Sequence, residues 1–307
     1  MIATLDNVIQ LELAQLQSVS IPFLHQHNVT LTVLRLDKIH SLISGNKWFK
    51  LKYSLQDALV KNYTQIVTVG GAYSNHILAT AAACQVLGLD AIGIIRGERN
   101  SALSCTLEQA EKLGMKLDFV SRSIYSNKEL LYQKLQSNYP KGYLIEEGGM
   151  NDKGIRGGQD IMKLAASNKY THICCAVGTG TMLAGITNAL NDAQRVIGIS
   201  SLNISNNTNN DLRKFLDDHH IPSNKYEIVY DYHFGGYAKY NDQLLDFMNE
   251  WYRTTSIPSD FVYTGKLFFA ICDLIKKSYF AKQDSILIIH SGGLQGNCSL
   301  PKSRLLY

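Results

Sequence analysis

The feature that most constrains this chain is the alternation of short apolar runs with segments of helical periodicity, from residue 30 to residue 289. Short runs rich in β-branched residues are typical of buried strands, and helices between such strands favour parallel sheets covered on both faces. We predict strands at residues 30–37, 66–69, 91–95, 116–120, 143–145, 171–177, 196–200, 227–230 and 285–289. The sequence therefore predicts an α/β fold.

The segments between these strands carry apolar residues at helical spacing. We predict helices at residues 48–59, 77–87, 103–113, 128–135, 154–166, 182–191, 211–219, 244–252 and 267–278. Residues 1–28 form a loosely amphipathic lead-in with no chemical signal. No internal repeat or low-complexity linker interrupts the alternation, so we expect two closely joined lobes.

The composition is that of a globular protein and disfavours several classes of function. The chain has 307 residues, of which 45% are hydrophobic and 18% charged, and its net charge is +4. Lysine and arginine form no stripe, so nucleic acid is not an expected partner. No window approaches the roughly 18 apolar residues of a membrane helix. The start, MIATLDNVIQLELAQL, lacks the features of a signal peptide, and we expect a cytoplasmic protein without membrane contact.

The six cysteines are scattered along the chain and form no CxxC motif. Unpaired cysteines in a reducing compartment are commonly small buried apolar residues. The sequence therefore predicts that all six are free and buried: Cys84, Cys105, Cys174, Cys175, Cys272 and Cys298.

Four of the predicted strands end in glycine-rich polar turns. These turns contain Gly70-Gly71, Gly148-Gly149, Gly178-Thr179-Gly180 and Gly292-Gly293. In parallel sheets, ligands bind beyond the carboxyl ends of the strands. We therefore expect the four turns to meet at one cleft.

The turn Gly178-Thr179-Gly180-Thr181 separates an apolar strand from a helix. Its glycines would allow close backbone approach, and its N–H groups and threonine hydroxyls could bind a phosphate. A plain strand-to-helix turn is an equally good interpretation of this motif alone. A dinucleotide site fits less well, because Leu183 replaces the third glycine of GxGxxG and Ser200-Ser201 stands where an acid is expected. A small phosphate monoester is therefore a better candidate ligand than a dinucleotide.

Lys47 follows the polar turn Gly45-Asn46 and enters the first turn of a predicted helix. Most lysines are solvated, but a lysine beside bulky apolar residues could be desolvated enough to attack a carbonyl. Ser74 and Asn75 could cap the next helix or belong to a site. His76 is as compatible with a buried hydrogen-bonded histidine as with a proton carrier.

A phosphate cradle, a lysine, a Ser-Asn turn and Tyr263 beside Gly265 are the components of a pyridoxal phosphate (PLP) site. The chain resembles the D-cysteine desulfhydrase/1-aminocyclopropane-1-carboxylate (ACC) deaminase family of PLP enzymes. The resemblance rests on six motifs in the family's order, between about residues 34 and 296: SGNKWFKLKY, VGGAYSNH, EEGGMNDKG, VGTGTMLAG, VYTGK and HSGGLQG.

The resemblance implies the tryptophan-synthase-β-like fold (fold type II), which is two-lobed and built from three-layer sandwiches on parallel sheets. It implies a large PLP-binding domain formed by residues 1–50 plus 155–307, and a smaller inserted α/β domain at 51–154. It also implies a small amino acid as substrate and a homodimer as the assembly.

The resemblance further assigns a role to each matched residue. Lys47 would form the Schiff base with PLP, and Asn75 would hydrogen-bond the phenolic oxygen of the cofactor. Ser74 would hold the substrate carboxylate or help proton transfer, and His76 would line the same turn. The phosphate would be bound by Gly178, Thr179, Gly180 and Thr181.

Two tyrosines are implied near the substrate: Tyr263, and Tyr237 in FGGYAKY as a softer match. Lys50 would support Lys47 or the substrate, or else be a solvated residue. Thr264 stands where the deaminases carry the glutamate that protonates the pyridine nitrogen, as it does in the desulfhydrases. This favours D-cysteine desulfhydrase activity, a β-elimination giving pyruvate, H₂S and NH₃.

Some positions depart from the family pattern, and alternatives remain open. Ser44 replaces a glycine, Phe49 replaces a common arginine, and residues 34–37 are less polar than usual. The alternatives are an ACC deaminase, and a PLP-binding protein or regulator without turnover. Between Lys47 and Ser74, the residues do not decide which takes the α-proton.

Overall fold

A computed structural model describes residues 9–43, 45–99, 102–165, 167–203 and 209–307. Ser44 and the polar run 204–208 lie outside the described residues. Within them the chain forms ten strands: β1 (Gln15–Val19), β2 (Thr30–Arg35), β3 (Gln65–Gly70), β4 (Asp90–Arg96), β5 (Met115–Val120), β6 (Gly142–Ile145), β7 (His172–Val177), β8 (Arg195–Ser200), β9 (Tyr226–Val229) and β10 (Ser285–His290).

The strands alternate with helices, as the sequence predicted. The described α-helices are α1 (Pro22–His27), α2 (Asn46–Val60), α3 (Asn75–Leu87), α4 (Cys105–Lys112), α5 (Arg122–Ser126), α6 (Lys128–Asn138), α7 (Asp152–Ile161), α8 (Thr181–Asn188), α9 (Asn209–Asp218), α10 (Asp242–Thr255) and α11 (Thr264–Lys276). Side-chain caps fix several starts; for example, Asn151 accepts a hydrogen bond of 2.8 Å from the N–H of Gly154 at α7.

The strands form two separate sheets. The larger has the order β1-β2-β10-β7-β8-β9, and the smaller has the order β5-β4-β3-β6. Every described pairing is parallel except that of β1 with β2. The α/β fold with parallel sheets is confirmed. The antiparallel edge strand β1 lies in the segment that the sequence left as a lead-in.

The larger sheet is buried on both faces, because the four middle residues of its central strand β10 are all apolar. Leu287 and Ile289 of β10 pack into one apolar cluster, and Ile286 and Ile288 pack into another on the opposite face. All four side chains are fully buried. Continuous apolar runs of this kind are expected for strands covered by helices on both sides.

Small residues allow three helices to cross closely beneath the site. A Cβ on Gly157 of α7 would lie 1.7 Å from the carbonyl oxygen of Phe49 in α2. A Cβ on Gly185 of α8 would lie 2.5 Å from the Cα of Gly158 in α7. Glycine is therefore required at these crossings, and they fix α2 against the start of α8.

The prediction of six free cysteines is wrong for two of them. Cys105 and Cys298 form a disulfide, whereas Cys84, Cys174, Cys175 and Cys272 are free and buried. The pair is separated by 193 positions in the sequence. Spacing could not reveal it, because the fold alone brings α4 against the chain after β10.

Among the described residues, none of the helices is both long and apolar enough to cross a membrane.

Candidate active site

The glycine-rich turns meet at one place, as the sequence predicted. A Cβ on Gly148, after β6, would lie 2.9 Å from the Thr179 hydroxyl oxygen after β7. A Cβ on Gly293, after β10, would lie 2.6 Å from the Asn75 amide nitrogen after β3. The carboxyl ends of strands from both sheets therefore face a common cleft.

Lys47 is the second residue of α2. The residue before this helix is Gly45, which has φ +62°. A Cβ on Gly45 would lie 1.8 Å from the Ser291 carbonyl oxygen, so this turn rests on the chain after β10. The Lys47 amine donates a hydrogen bond of 2.7 Å to the Asn46 side chain. Burial lowers the pKa of Lys47 to about 8, although the Asp260 carboxylate acts to raise it. Part of the amine is therefore neutral near physiological pH.

Lys50 lies one helical turn beyond Lys47 and is buried. Its Nζ lies 3.5 Å from the Thr179 hydroxyl, and no described carboxylate forms an ion pair with it. Burial, followed by the charge of Lys47, lowers the pKa of Lys50 well below its usual range. The interpretation of Lys50 as a solvated residue is wrong, since the crossing of α2 with α7 and α8 encloses it.

The turn from Gly178 to Thr181 starts α8. Gly180 has φ +86°, and Thr181 is fully buried as the first residue of the helix. The hydroxyls of Thr179 and Thr181 are hydrogen-bonded at 3.1 Å. The N-terminus of α8, two hydroxyls and the Lys50 amine thus converge. Its donors and its charge make this cluster a candidate anion site.

Ser74 caps α3, as the alternative interpretation of this turn proposed. Its hydroxyl accepts a hydrogen bond of 3.4 Å from the N–H of Ile77. The next residue, Asn75, is buried, and its side-chain oxygen accepts a hydrogen bond of 3.2 Å from Gln295. That bond fixes the orientation of the Asn75 amide, so its NH₂ group is directed towards Gly293.

His76 is buried and lies beside Thr68 of β3, with its Nε2 3.0 Å from the Thr68 hydroxyl. The Thr68 hydroxyl donates to the Ile145 carbonyl, so it accepts from Nε2–H of His76. Burial, then Lys47 and Lys50, lower the pKa of His76 to about 3. The ring is neutral, which fits the buried hydrogen-bonded histidine.

Tyr263 and Tyr237 lie edge to face, with ring centroids 6.0 Å apart. A Cβ on Gly178 would lie 3.2 Å from the Tyr263 hydroxyl oxygen, which places this ring beside the anion site. Burial raises the pKa of both tyrosines, and Tyr237 adds to the rise at Tyr263. Both hydroxyls remain protonated and can donate hydrogen bonds.

Thr264 is fully buried at the start of α11, and its hydroxyl is bonded twice to Asp260. It accepts from the Asp260 N–H at 2.7 Å and donates to the Asp260 carboxylate at 2.7 Å. The same carboxylate accepts from the N–H groups of Val262, Tyr263 and Thr264. The hydroxyl proton is thus committed to Asp260, and one lone pair remains for a ligand.

Sequence reasoning missed Asp260, Gln295 and Lys266. Lys266 is buried, and its amine donates to the carbonyls of His233 and Gly236, which hold the loop carrying Tyr237. Burial lowers the pKa of Lys266 to about 8. Asp260 lies three residues before the N-cap Tyr263, so the preference for acidic residues at the N-cap does not single it out. Gln295 and Lys266 depend on tertiary contacts.

The family model described as "Pyridoxal-phosphate dependent enzyme" matches residues 9–292. The chain belongs to this family. The match spans every strand of both sheets, and PLP is the cofactor of this family. It also confirms that the six sequence motifs belong to a PLP enzyme.

Two relatives place the chain within the PLP family. A Pyrococcus horikoshii protein, provisionally named a 1-aminocyclopropane-1-carboxylate deaminase, is 31% identical over 266 residues, covering 83% of this chain and 81% of the relative. An Arabidopsis thaliana protein is named a bifunctional, mitochondrial D-cysteine desulfhydrase/1-aminocyclopropane-1-carboxylate deaminase. It is 27% identical over 281 residues, which cover 83% of this chain and 70% of the relative.

Solved structures agree on the fold. The crystal structure of an ACC deaminase homologue has a TM-score of 0.79 and 28% identity, covering 96% of this chain and 95% of that one. An O-ureido-L-serine synthase has a TM-score of 0.69 at 14% identity, covering 96% and 93%, and shows the fold alone. The prediction of fold type II is confirmed.

The residues present fit PLP. Its phosphate would supply the anion that buried Lys50 lacks among described residues, at the N-terminus of α8. Its aldehyde would find the Lys47 amine, whose pKa of about 8 leaves part of it neutral. The donors around Lys50 suit the phosphate of PLP, and the Lys47 amine suits its aldehyde. The chemistry of the site therefore matches the cofactor of the family.

Proposed function

We propose that this chain is a PLP-dependent lyase that removes the β-substituent of a small amino acid, with D-cysteine as substrate. The products would be pyruvate, H₂S and NH₃. Thr264 carries the proposal, because a neutral hydroxyl stands where the deaminases of the family have a glutamate. When bound, PLP supplies an aldehyde that holds the substrate amine and a ring that accepts electrons as the α-hydrogen leaves.

Lys47 is the proposed cofactor-bound lysine and proton carrier. Its lowered pKa supports both roles, since a neutral amine can attack an aldehyde and accept a proton. Asn75, held by Gln295, presents its NH₂ group as a donor to the phenolic oxygen of PLP. Thr264 is the proposed neighbour of the ring nitrogen, and it carries no charge that would hold a proton there.

The phosphate is proposed to lie against the backbone of Gly178, Thr179 and Gly180 and against Thr181. Lys50 supports this assignment because its amine lies beside the Thr179 hydroxyl. An anion at this point offsets the cost of burying that ammonium group. The helix dipole of α8 acts in the same direction.

The substrate is proposed to lie between the Ser74 turn and the two tyrosines. Ser74 donates its hydroxyl proton to the substrate carboxylate, since the hydroxyl only accepts from Ile77. Tyr263 and Tyr237 are protonated donors on the other side. Contact between His76 and the substrate is still only a prediction. Its Nε2–H is already hydrogen-bonded to the Thr68 hydroxyl.

ACC deaminase activity is the second candidate, and one observation favours it. The Asp260 carboxylate lies one hydrogen bond from the Thr264 hydroxyl, so a negative charge is present close to the proposed position of the ring nitrogen. The relatives named as ACC deaminases also favour it. Thr264 itself cannot supply the charge, which is why we place D-cysteine first.

The test is product formation by purified enzyme loaded with PLP. Sulfide and pyruvate are measured from D-cysteine, L-cysteine and β-chloro-D-alanine, and 2-oxobutanoate from ACC. We expect kcat/KM for D-cysteine to exceed that for ACC by at least about tenfold. A higher value for ACC would replace the proposal with the second candidate, and no turnover of any of them would leave a PLP-binding protein. The homodimer, the cytoplasmic location and the domain boundaries stay predictions.

A further inference from the structure

The disulfide lies where the two sheets meet at the rim of the cleft. Cys105 is the first residue of α4, which packs against α3 on the smaller sheet. Cys298 belongs to the 3-10 turn Leu294–Ser299, which follows β10 of the larger sheet. α4 contacts this turn, and the two Cα atoms are 6.5 Å apart, within the range of protein disulfides.

Residues near each cysteine of the disulfide are hydrogen-bonded to the turn that carries Ser74 and Asn75. Ser104, adjacent to Cys105, donates its hydroxyl to the Ala72 carbonyl of this turn. Gln295, in the same 3-10 turn as Cys298, donates to the Asn75 side chain. The disulfide therefore closes a ring of contacts around the substrate side of the site.

The two sulfur atoms differ in access and in their surroundings. Cys298 is exposed, whereas Cys105 is partly buried at the N-terminus of an eight-residue helix. A thiolate released from Cys105 is stabilised by the helix dipole, which makes it the better leaving group. Attack from solvent is therefore directed to the Cys298 sulfur.

We propose that Cys105–Cys298 is a reversible thiol-exchange site for small thiols, and that its redox state controls binding at the cleft. A thiolate attacks Cys298 Sγ, the Sγ–Sγ bond breaks, and Cys105 leaves as a thiolate that takes a proton from water. A second thiolate attacks the mixed disulfide at the sulfur of the bound small thiol and releases Cys298. Two electrons pass from two small thiols, which leave joined as one disulfide.

Reduction frees α4 from the 3-10 turn Leu294–Ser299. The Ser74–Asn75 turn then loses the constraint that holds its two hydrogen-bond partners together. We expect weaker binding in the reduced state, for PLP through Asn75 and for the substrate through Ser74. This part rests on the proposed function, but the thiol chemistry does not.

The test compares PLP-loaded wild type with Cys298→Ser, each with and without dithiothreitol. Alkylation and peptide mass mapping count the thiols at Cys105 and Cys298. The KM is measured with β-chloro-D-alanine, because D-cysteine would itself reduce the disulfide, and PLP affinity is measured by fluorescence. We expect reduction to raise the KM and the PLP dissociation constant of wild type by about fivefold or more. Cys298→Ser should show the raised values and no response to dithiothreitol.

Alkylation of wild-type Cys105 without reductant would overturn the exchange site. Equal PLP dissociation constants in the two states would overturn the control of binding, even if β-chloro-D-alanine is not turned over. Failure of the proposed function is recognised separately, by absent turnover together with normal thiol counts and a redox-dependent PLP affinity.

Discussion

At Lys47, burial and charge act on the same amine in opposite directions. Burial lowers its pKa and the Asp260 carboxylate raises it, with a result of about 8. At about pH 8 half of the amine is therefore neutral. An ordinary lysine reaches this point only near pH ~10.4.

We predict that PLP-free protein reacts with a small aldehyde and cyanoborohydride at Lys47 at a rate that rises with pH, with its midpoint at about pH 8, and then levels off. Peptide mass mapping measures the reaction at each lysine. Lys163 is an internal control, because it is exposed and its ion pair with Asp160 raises its pKa. Its reaction should still increase at pH 9 and above. A Lys47 profile that follows that of Lys163 would contradict a desolvated amine.

Asp260→Asn extends the same measurement. Removing the carboxylate removes the charge that raises the pKa of Lys47, so the midpoint should fall below about 8. The change also weakens the cap of α11, and we expect unfolding free energy to fall by about 1–3 kcal/mol. Thermal melting confirms that the variant is folded at the assay temperature. A midpoint that stays the same or rises would show that Asp260 does not act on Lys47.

At the scale of elements, the site depends on how closely α2, α7 and α8 approach one another. We predict that Gly157→Ala lowers the unfolding free energy by about 3 kcal/mol or more, because its Cβ would meet the Phe49 carbonyl at 1.7 Å. Gly71→Ala is the matched control, since a Cβ there has no neighbour within 4 Å. Denaturant unfolding measures both. Equal stability of the two variants would refute the close crossing.

The elements were largely predictable because their signals are local. Apolar runs such as 285–289 have a single stable position, buried between two helical layers. β1 was missed because Gln15–Val19 is an edge strand with mostly exposed side chains and carries little apolar pattern. Helix α7 begins at Asp152, earlier than predicted, because the Asn151 cap determines its start rather than its glycines.

At the scale of the molecule, the sequence located the cleft but not the contacts that hold it together. Lys47, Asn75 and Thr179 stand in recognisable motifs, so their convergence could be inferred from the strand ends. The roles of Gln295 and Cys298 follow only from tertiary contacts. Gln295 donates a hydrogen bond to Asn75 of α3, and Cys298 is bonded to Cys105 of α4. Such contacts join residues far apart in sequence, and no local pattern encodes them.

Three buried or partly buried lysines lie near the cleft, and only their surroundings distinguish them. Lys50 faces the phosphate cradle, and both hydrogen bonds of the Lys266 amine go to loop carbonyls. Lys47 is left as the amine for the cofactor aldehyde. The direct test is borohydride reduction of the PLP-loaded enzyme, followed by peptide mass mapping. The account predicts that the reduced cofactor is attached to Lys47 and that Lys47→Ala carries none; attachment at Lys50 or Lys266, or no attachment, would contradict it.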